Sequence, residues 1–252
     1  ASERVFPKIS EAKYRTAVKF LKQYIDLPDD ISTELDARTA GEVVEAYLKT
    51  HHLGHWSIKL VDESVADMQI TKRGAVLIKK SATFTKNRLN ALLVHEIGTH
   101  VFRFENGRRQ PFQIFARGTA GYLQTEEGIA VFNQNALGTE LGEKFITPAL
   151  LVVAIFMAQR MGFRDLFEFL RSTYEVSDEL AWKLCVKAKR GTRHNEPGAF
   201  TKDAIYFLGW QEVQRFLEKG GELEELYIGK IAIRDLKLVE KFDGIVKPKW
   251  LV

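Results

Sequence analysis

Cysteine is all but missing from this 252-residue chain, with Cys185 alone. One thiol forms no intramolecular disulfide and supplies no thiolate cage, so a reducing cytoplasmic setting fits and any metal must be held by histidine and carboxylate. Proline is scarce as well: six residues, scattered, with no linker-like tract and no repeat to divide the chain. Long apolar runs are lacking. The longest, residues 149–158 within PALLVVAIFMAQ, is about half of what a bilayer crossing needs, which makes it a buried helix. The first residues, ASERVFPKISEAKYR, have no apolar centre of the signal-peptide kind. Charge of one sign is not concentrated either: 37 Lys and Arg face 33 Asp and Glu, and the resulting +4 is dispersed, which argues against a nucleic-acid or membrane partner. What is present is an ordinary 45 % hydrophobic content, enough for a real core.

The pattern predicts an α+β chain forming a single domain over 1–252: a helical lead-in (1–55), a small sheet (56–81) and helices over 84–252. ISEAKYRTAVKFLKQYIDL and TAGEVVEAYLKTHHL have helical spacing, the first starting at Ser10 as N-cap. WSIKLVD, ADMQITK and AVLIKKS are short and β-branched, and read as an antiparallel sheet. In TKNRLNALLVHEIGTHVFRFENG, Leu89, Leu92, Leu93, Ile97, Val101 and Phe104 recur at helical intervals, and Asn-Gly is the expected stop. TEEGIAVFNQNAL is a second helix with Thr125 as N-cap, and the remaining segments, including ELEELYIGKIAIRDLKLVEKF, read as helical.

The chemistry lies in HEIGTH, residues 95–100. The familiar zinc motif H-E-x-x-H places two histidines on one helix face, whereas here one more residue separates them. On an ideal α-helix His95 and His100 would stand about 140° apart and could not share an ion. A π-bulge, with a local i→i+5 bond, absorbs the extra residue and restores the shared face, and Gly98 inside the interval makes that distortion cheap. In this reading His95 and His100 are ligands and Glu96 the base that takes a proton from water. A third ligand comes from TEEGIA, about thirty residues downstream: Glu127, with Glu126 in reserve. HEIGTH by itself leaves a second reading open, two structural histidines on a buried helix, and adjacent acids near a helix start are also ordinary dipole partners.

The ordered blocks HEIGTH, NGRRQP, TEEGIAVFNQ and FTKDAIYFLG resemble the tyrosine carboxypeptidase family that includes the microtubule-associated tyrosine carboxypeptidases and bacterial relatives. That resemblance implies a zincin-like metallopeptidase bearing Zn2+ on His95, His100 and Glu127, with Glu96 catalytic, and a peptide or protein C-terminal tail as substrate. Dipeptidyl peptidase III shares the longer H-E-x-x-x-H spacing. Ile129 replaces the leucine of the family's E-G-L-A block, and no motif before Trp56 matches.

Removing one C-terminal residue requires a cation for the terminal carboxylate. Lys202 and Arg193 are favoured, with Arg190, Arg108 and Arg109 as further candidates. Tyr206, or alternatively His194, is a candidate oxyanion donor. In FTKDAIYFLG, Thr201 is expected to cap a helix whose first turn holds Asp203. His51, His52 and His55 are assigned to a helix end, without catalysis. AVLIKKS is expected to be the sheet edge to which an extended peptide adds, with Lys79 and Lys80 suiting an acidic tail. Other readings of the same residues are a zinc endopeptidase or aminopeptidase, and a regulatory module without turnover.

Overall fold

The computed structural model describes residues 2–25, 30–64, 66–138, 142–239 and 241–252, with 142 and 143 by backbone alone. A 3-10 turn at Ser2–Arg4 precedes α1 (Glu11–Tyr24), which starts where Ser10 Oγ accepts the Lys13 N–H at 3.5 Å, the expected cap. Asp26 and Leu27, in the stretch expected to continue it, lie outside the described residues. β1 (Glu34–Asp36) leads into α2 (Ala37–Thr50), capped by Asp36, which accepts the Thr39 N–H at 2.7 Å. β2 (Ser57–Val61), β3 (Met68–Thr71), β4 (Ala75–Lys79) and β5 (Thr83–Thr85) follow. Next come α3 (Lys86–Leu92), capped by Thr85, a π-helical stretch (Leu93–Val101) and α4 (Phe102–Arg108), without interruption. The remaining helices are α5 (Ile114–Arg117), α6 (Tyr122–Ala136), α7 (Gly142–Ala158), α8 (Phe163–Tyr174), α9 (Asp178–Lys189), α10 (Ile205–Glu218) and α11 (Leu236–Val239). The mostly helical content with small sheets agrees with the α+β expectation.

Contacts gather the elements into two compact units that do not follow chain order: residues 1–29 with 141–211, and residues 30–140 with 212–252. The lead-in is therefore divided, α1 packing on α7 in the first unit and α2 on the sheet in the second. In the first unit the apolar run of α7 is buried, as expected, among Leu21, Leu166, Leu170, Leu184 and Cys185. Burial pushes the Cys185 thiol up to about 12, so it remains an inert core group. No helix among the described residues is long and apolar enough to cross a membrane.

The second unit holds the HEIGTH helix, whose Leu89, Leu92, Leu93, Ile97 and Val101 are buried with Val44, Leu48, Val76, Ile78 and Ile129. Several local expectations are corrected here. The three-stranded sheet has order β2-β4-β3; β3 and β4 pair antiparallel, but β2 runs parallel to β4, Ile58 opposite Val76 and Leu60 opposite Ile78. AVLIKKS is thus the central strand, with both edges occupied, and a peptide cannot add to it; the edge strands are β2 and β3. Lys80 on that segment is paired with Asp62 at 2.8 Å. A further two-stranded sheet joins β1 to β5, antiparallel.

The helix closes one residue past Asn106-Gly107, as expected, although Gly107 lies within its last turn and has no left-handed φ. Gly107 is there for space: an added β-carbon would run into the backbone of Phe115 at its carbonyl. Thr125 is not an N-cap. α6 begins three residues earlier, and the Thr125 hydroxyl accepts the Ile233 N–H at 3.0 Å from within the core. Thr201 precedes a 3-10 turn (Lys202–Ala204) and makes no side-chain cap; its hydroxyl reaches Ser2 Oγ at 3.3 Å. The segment expected to be helical is instead, among the described residues, two 3-10 turns, Leu223–Tyr227 and Ile233–Asp235, and the four-residue α11, because its backbone bonds outward to α6 and to the residues ahead of it; Glu240 lies outside the described residues.

Gly107→Ala should lower unfolding stability by about 1–3 kcal/mol from the forced overpacking. Gly54→Ala, whose β-carbon meets nothing closer than a Lys49 side-chain carbon at 3.7 Å, should change it by no more than about 0.5 kcal/mol; urea titration of both variants reads the difference.

Candidate metal centre

The extra residue of HEIGTH is absorbed as anticipated, but over a longer span than a single bulge. All nine residues from Leu93 to Val101 are π-helical, and the Phe102 N–H that closes the stretch reaches the Ile97 carbonyl five residues back. Gly98 has no left-handed φ; an added β-carbon would instead collide with the Val252 side chain. The wide turn brings His95 and His100 to one face, with ring centroids 5.0 Å apart. α6 packs across this stretch and presents Glu126 and Glu127 to it.

Three donors converge. His95 Nε2 lies 3.6 Å and His100 Nε2 3.7 Å from Glu127 Oε2, and all three ligand atoms fall within 4.8 Å of one another. A tetrahedral ion with bonds of about 2.0–2.1 Å holds its donor atoms roughly 3.3 Å apart, so the cluster is close to that size without rearrangement. Glu127 Oε2 is buried and accepts no hydrogen bond, a costly state for a carboxylate oxygen that a cation would relieve. Each imidazole is oriented by its far nitrogen. His100 Nδ1 meets Glu126 Oε1 at 2.9 Å, and since a carboxylate only accepts, Nδ1 carries the proton and Nε2 offers its lone pair to the cluster. His95 Nδ1 is held the same way by Gln134 Oε1 at 2.9 Å.

Behind the donors lies a second layer of charge. Glu126 is buried and bound by Arg103, Lys230 and His100. Arg103 is fully buried, and its remaining nitrogens donate to the Leu226 and Ile231 carbonyls, each at 2.8 Å. Burial opposes the Glu126 charge, but Lys230 and Arg103 outweigh it and hold this carboxyl well below the usual range. Glu127 is likewise resisted by burial yet lowered by His100 and His95. Burial would depress His95, but the approach of Glu127 and the charges of Glu96 and Glu127 raise it to about 9. Glu96 itself is half-buried, next to His95 on the same turn.

Glu126, the reserve ligand, is thus an orienting group with its own cations. Gln134 was missed although its signal was present: it lies seven residues after Glu127, two turns along the same face of α6. Arg103 and Lys230 gave no comparable signal. Among the proposed cations in this unit, Arg108 pairs with Glu105 at 3.3 Å and Arg109 donates to the Lys247 carbonyl at 3.1 Å. His55 also meets Glu105, at 3.0 Å, while His51 packs tilted against Tyr47 and edge-on against Phe102; neither belongs to the donor cluster. Lys202, Arg190, Arg193, His194 and Tyr206 belong to the other unit. There Arg193 pairs with Glu196 at 2.9 Å, Arg190 lies 3.6 Å from the buried Asp203, the His194 carbonyl accepts the Phe163 N–H at 2.6 Å, Lys202 is half-buried on its 3-10 turn, and Tyr206 packs on the α7 core.

Comparison with known proteins gives a consistent picture. A family model described as microtubule-associated tyrosine carboxypeptidase matches residues 4–252, including the N-terminal helices that carry no recognisable motif. The mouse protein named putative tyrosine carboxypeptidase MATCAP2 is 30 % identical over 192 residues, covering 73 % of this chain and 36 % of its own length. Human microtubule-associated tyrosine carboxypeptidase 1 is 36 % identical over 157 residues, 59 % of this chain and 32 % of its own; the mouse form is 34 % identical over 166 residues, 61 % and 33 %. The chain spans about a third of the length of these curated relatives.

Arg103→Leu strips Glu126 and two buried carbonyls of their partner, and should cost about 3–5 kcal/mol of stability. Arg103→Lys should recover only part of that, because an ammonium lacks the planar fork; chemical denaturation of the two variants measures it.

Proposed function

This chain belongs to the microtubule-associated tyrosine carboxypeptidase family, and from that premise and the geometry of the π-helical site we propose that it is a Zn2+-dependent carboxypeptidase of zincin-like design, releasing a C-terminal tyrosine or phenylalanine from a peptide or protein tail. The observation that carries this reading is the meeting of His95 Nε2, His100 Nε2 and Glu127 Oε2, which accepts no hydrogen bond, in one small space, with Glu96 adjacent to His95 in the chain and acting on it by its charge. Two imidazoles and one carboxylate are a donor set that catalytic zinc takes while keeping a position open. Held by these residues, Zn2+ would supply Lewis acidity, polarising the scissile carbonyl and bringing the pKa of water toward about 7.

The chain's own groups do the rest. Glu96 accepts the proton of the attacking water and returns it to the leaving nitrogen as the last peptide bond breaks, giving the free amino acid and a shortened tail. Glu126 and Gln134 keep the two imidazoles in the tautomer and orientation that ligation needs. The edge for an extended tail is β3, which lies against the π-helical stretch and whose outer side is unpaired among the described residues. Lys72 and Arg73, in the turn that follows β3, give that edge a basic end suited to an acidic tail. A single buried thiol is compatible with the cytoplasm.

Metal analysis of purified protein should give about one zinc per chain. The zinc-loaded protein should release the last residue from peptides ending in Tyr or Phe faster than from those ending in Leu or Glu. Glu96→Gln should keep its zinc yet lose about 10²–10⁴ in kcat. Absence of any terminal release by zinc-loaded wild type would overturn the reading.

A further inference from the structure

A π-helical run of nine residues is unusual, because i→i+5 bonding is rare and appears mostly as single-turn bulges. Something other than local preference must hold it. Three polar side chains stand in the core behind it: Thr99 and Tyr227, both 0 % exposed, and Asn133, 3 % exposed. The Thr99 hydroxyl donates to the Val94 carbonyl at 3.0 Å, five residues back; a threonine in an ordinary helix bonds the carbonyl three or four back. Asn133 Nδ2 donates to Thr99 Oγ1 at 2.8 Å and to the Tyr227 hydroxyl at 2.7 Å. Val94 and Thr99 directly precede His95 and His100, so the interval spanned by this bond is the interval between the two imidazoles, displaced by one residue. Asn133 lies seven residues after Glu126 on α6, and Tyr227 ends the turn whose Leu226 carbonyl is bound by Arg103.

We propose that Thr99, Asn133 and Tyr227 form a register lock, positioning residues that hold the HEIGTH segment in the wide register and thereby put His95 and His100 on one face. The consequence for the metal rests on the zinc reading above; the register does not. Relaxation to an α register would exchange the Val94 carbonyl for one three or four residues back as acceptor of the Thr99 hydroxyl, and would move that hydroxyl away from Asn133, leaving an amide hydrogen short of its acceptor in a core that cannot hydrate it. It would also turn the imidazoles about 140° apart. The polar trio therefore makes the register that ligation requires the cheaper one, and it does so before any ion binds. Asn133 couples the lock to α6, so the two ligating histidines and Glu127 are set by one assembly.

The test combines metal titration with metal-free crystal structures. Thr99→Val keeps the side-chain shape and removes the hydroxyl. It should raise the Kd for Zn2+ about tenfold or more, change the visible spectrum of the Co2+-loaded protein, and show His95 and His100 diverging in the metal-free crystal. Thr99→Ser should restore wild-type affinity to within about threefold, since it keeps the hydroxyl. Tyr227→Phe leaves the Thr99 to Val94 bond in place and should give a smaller rise in Kd; should Thr99→Val fail to fold, this variant carries the test. Unchanged Kd and an intact wide turn in the substituted proteins, with only the melting temperature lowered, would overturn the lock. Wild-type protein that takes up no Zn2+ would instead sink the metal reading, and the metal-free crystals would still decide the register.

Discussion

The site depends on one local constraint, the number of residues in a helical turn. With α-helical winding the two imidazoles of HEIGTH point away from each other, and no side-chain rotation brings both Nε2 atoms to one ion. With the wider winding from Leu93 to Val101 they share a face, and Glu127 meets them from α6. The backbone thus accepts an uncommon hydrogen-bond pattern in return for a cluster of three donors. Ordinary helix flanks that pattern at both ends: α3, capped by Thr85, leads in, and α4 follows, with Phe115 packed close on Gly107 in its last turn.

Electrostatics forms the second level of organisation. Three carboxylates, Glu96, Glu126 and Glu127, crowd the π turn, and the buried Arg103 and the partly buried Lys230 answer them. The two adjacent acids of α6 have been given different tasks by their neighbours alone. Glu126 is saturated with cations and serves to orient His100, whereas Glu127 keeps an oxygen free toward the histidines. Surplus negative charge is what lifts His95 to about 9, and it is the environment in which a divalent cation is favoured over protons as pH rises.

How much of this could be read from the chain varied with the range of the interaction. The identity of the histidine-bearing helix, its buried face and its wider turn follow from spacing within a few residues. Glu127 followed from a second short motif, and Gln134 was within reach of the same helical arithmetic. Arg103, Lys230, Asn133 and Tyr227 were not, because their meaning comes from partners on other elements, up to 128 residues away in the case of Arg103 and Ile231. The strand segments were recognisable as strands, but their pairing was not: alternation of side chains does not say which neighbour a strand takes, and β2 bypasses β3 to lie parallel on β4. Thr125 misled for a related reason, since a residue that serves as helix punctuation in isolation is used here for a core hydrogen bond.

By itself, the order of residues determined which helix carries the histidines, which acids follow on the next helix and that no thiolate takes part, all of which are set by local periodicity and composition. Only the tertiary structure decided that the wide turn extends over nine residues, that Glu126 orients while Glu127 faces the cluster, and that β3 rather than β4 is an edge strand. The physical reason is that hydrogen-bond satisfaction and burial in a core belong to pairs of groups, and the partners of these residues are chosen by folding rather than by proximity along the chain.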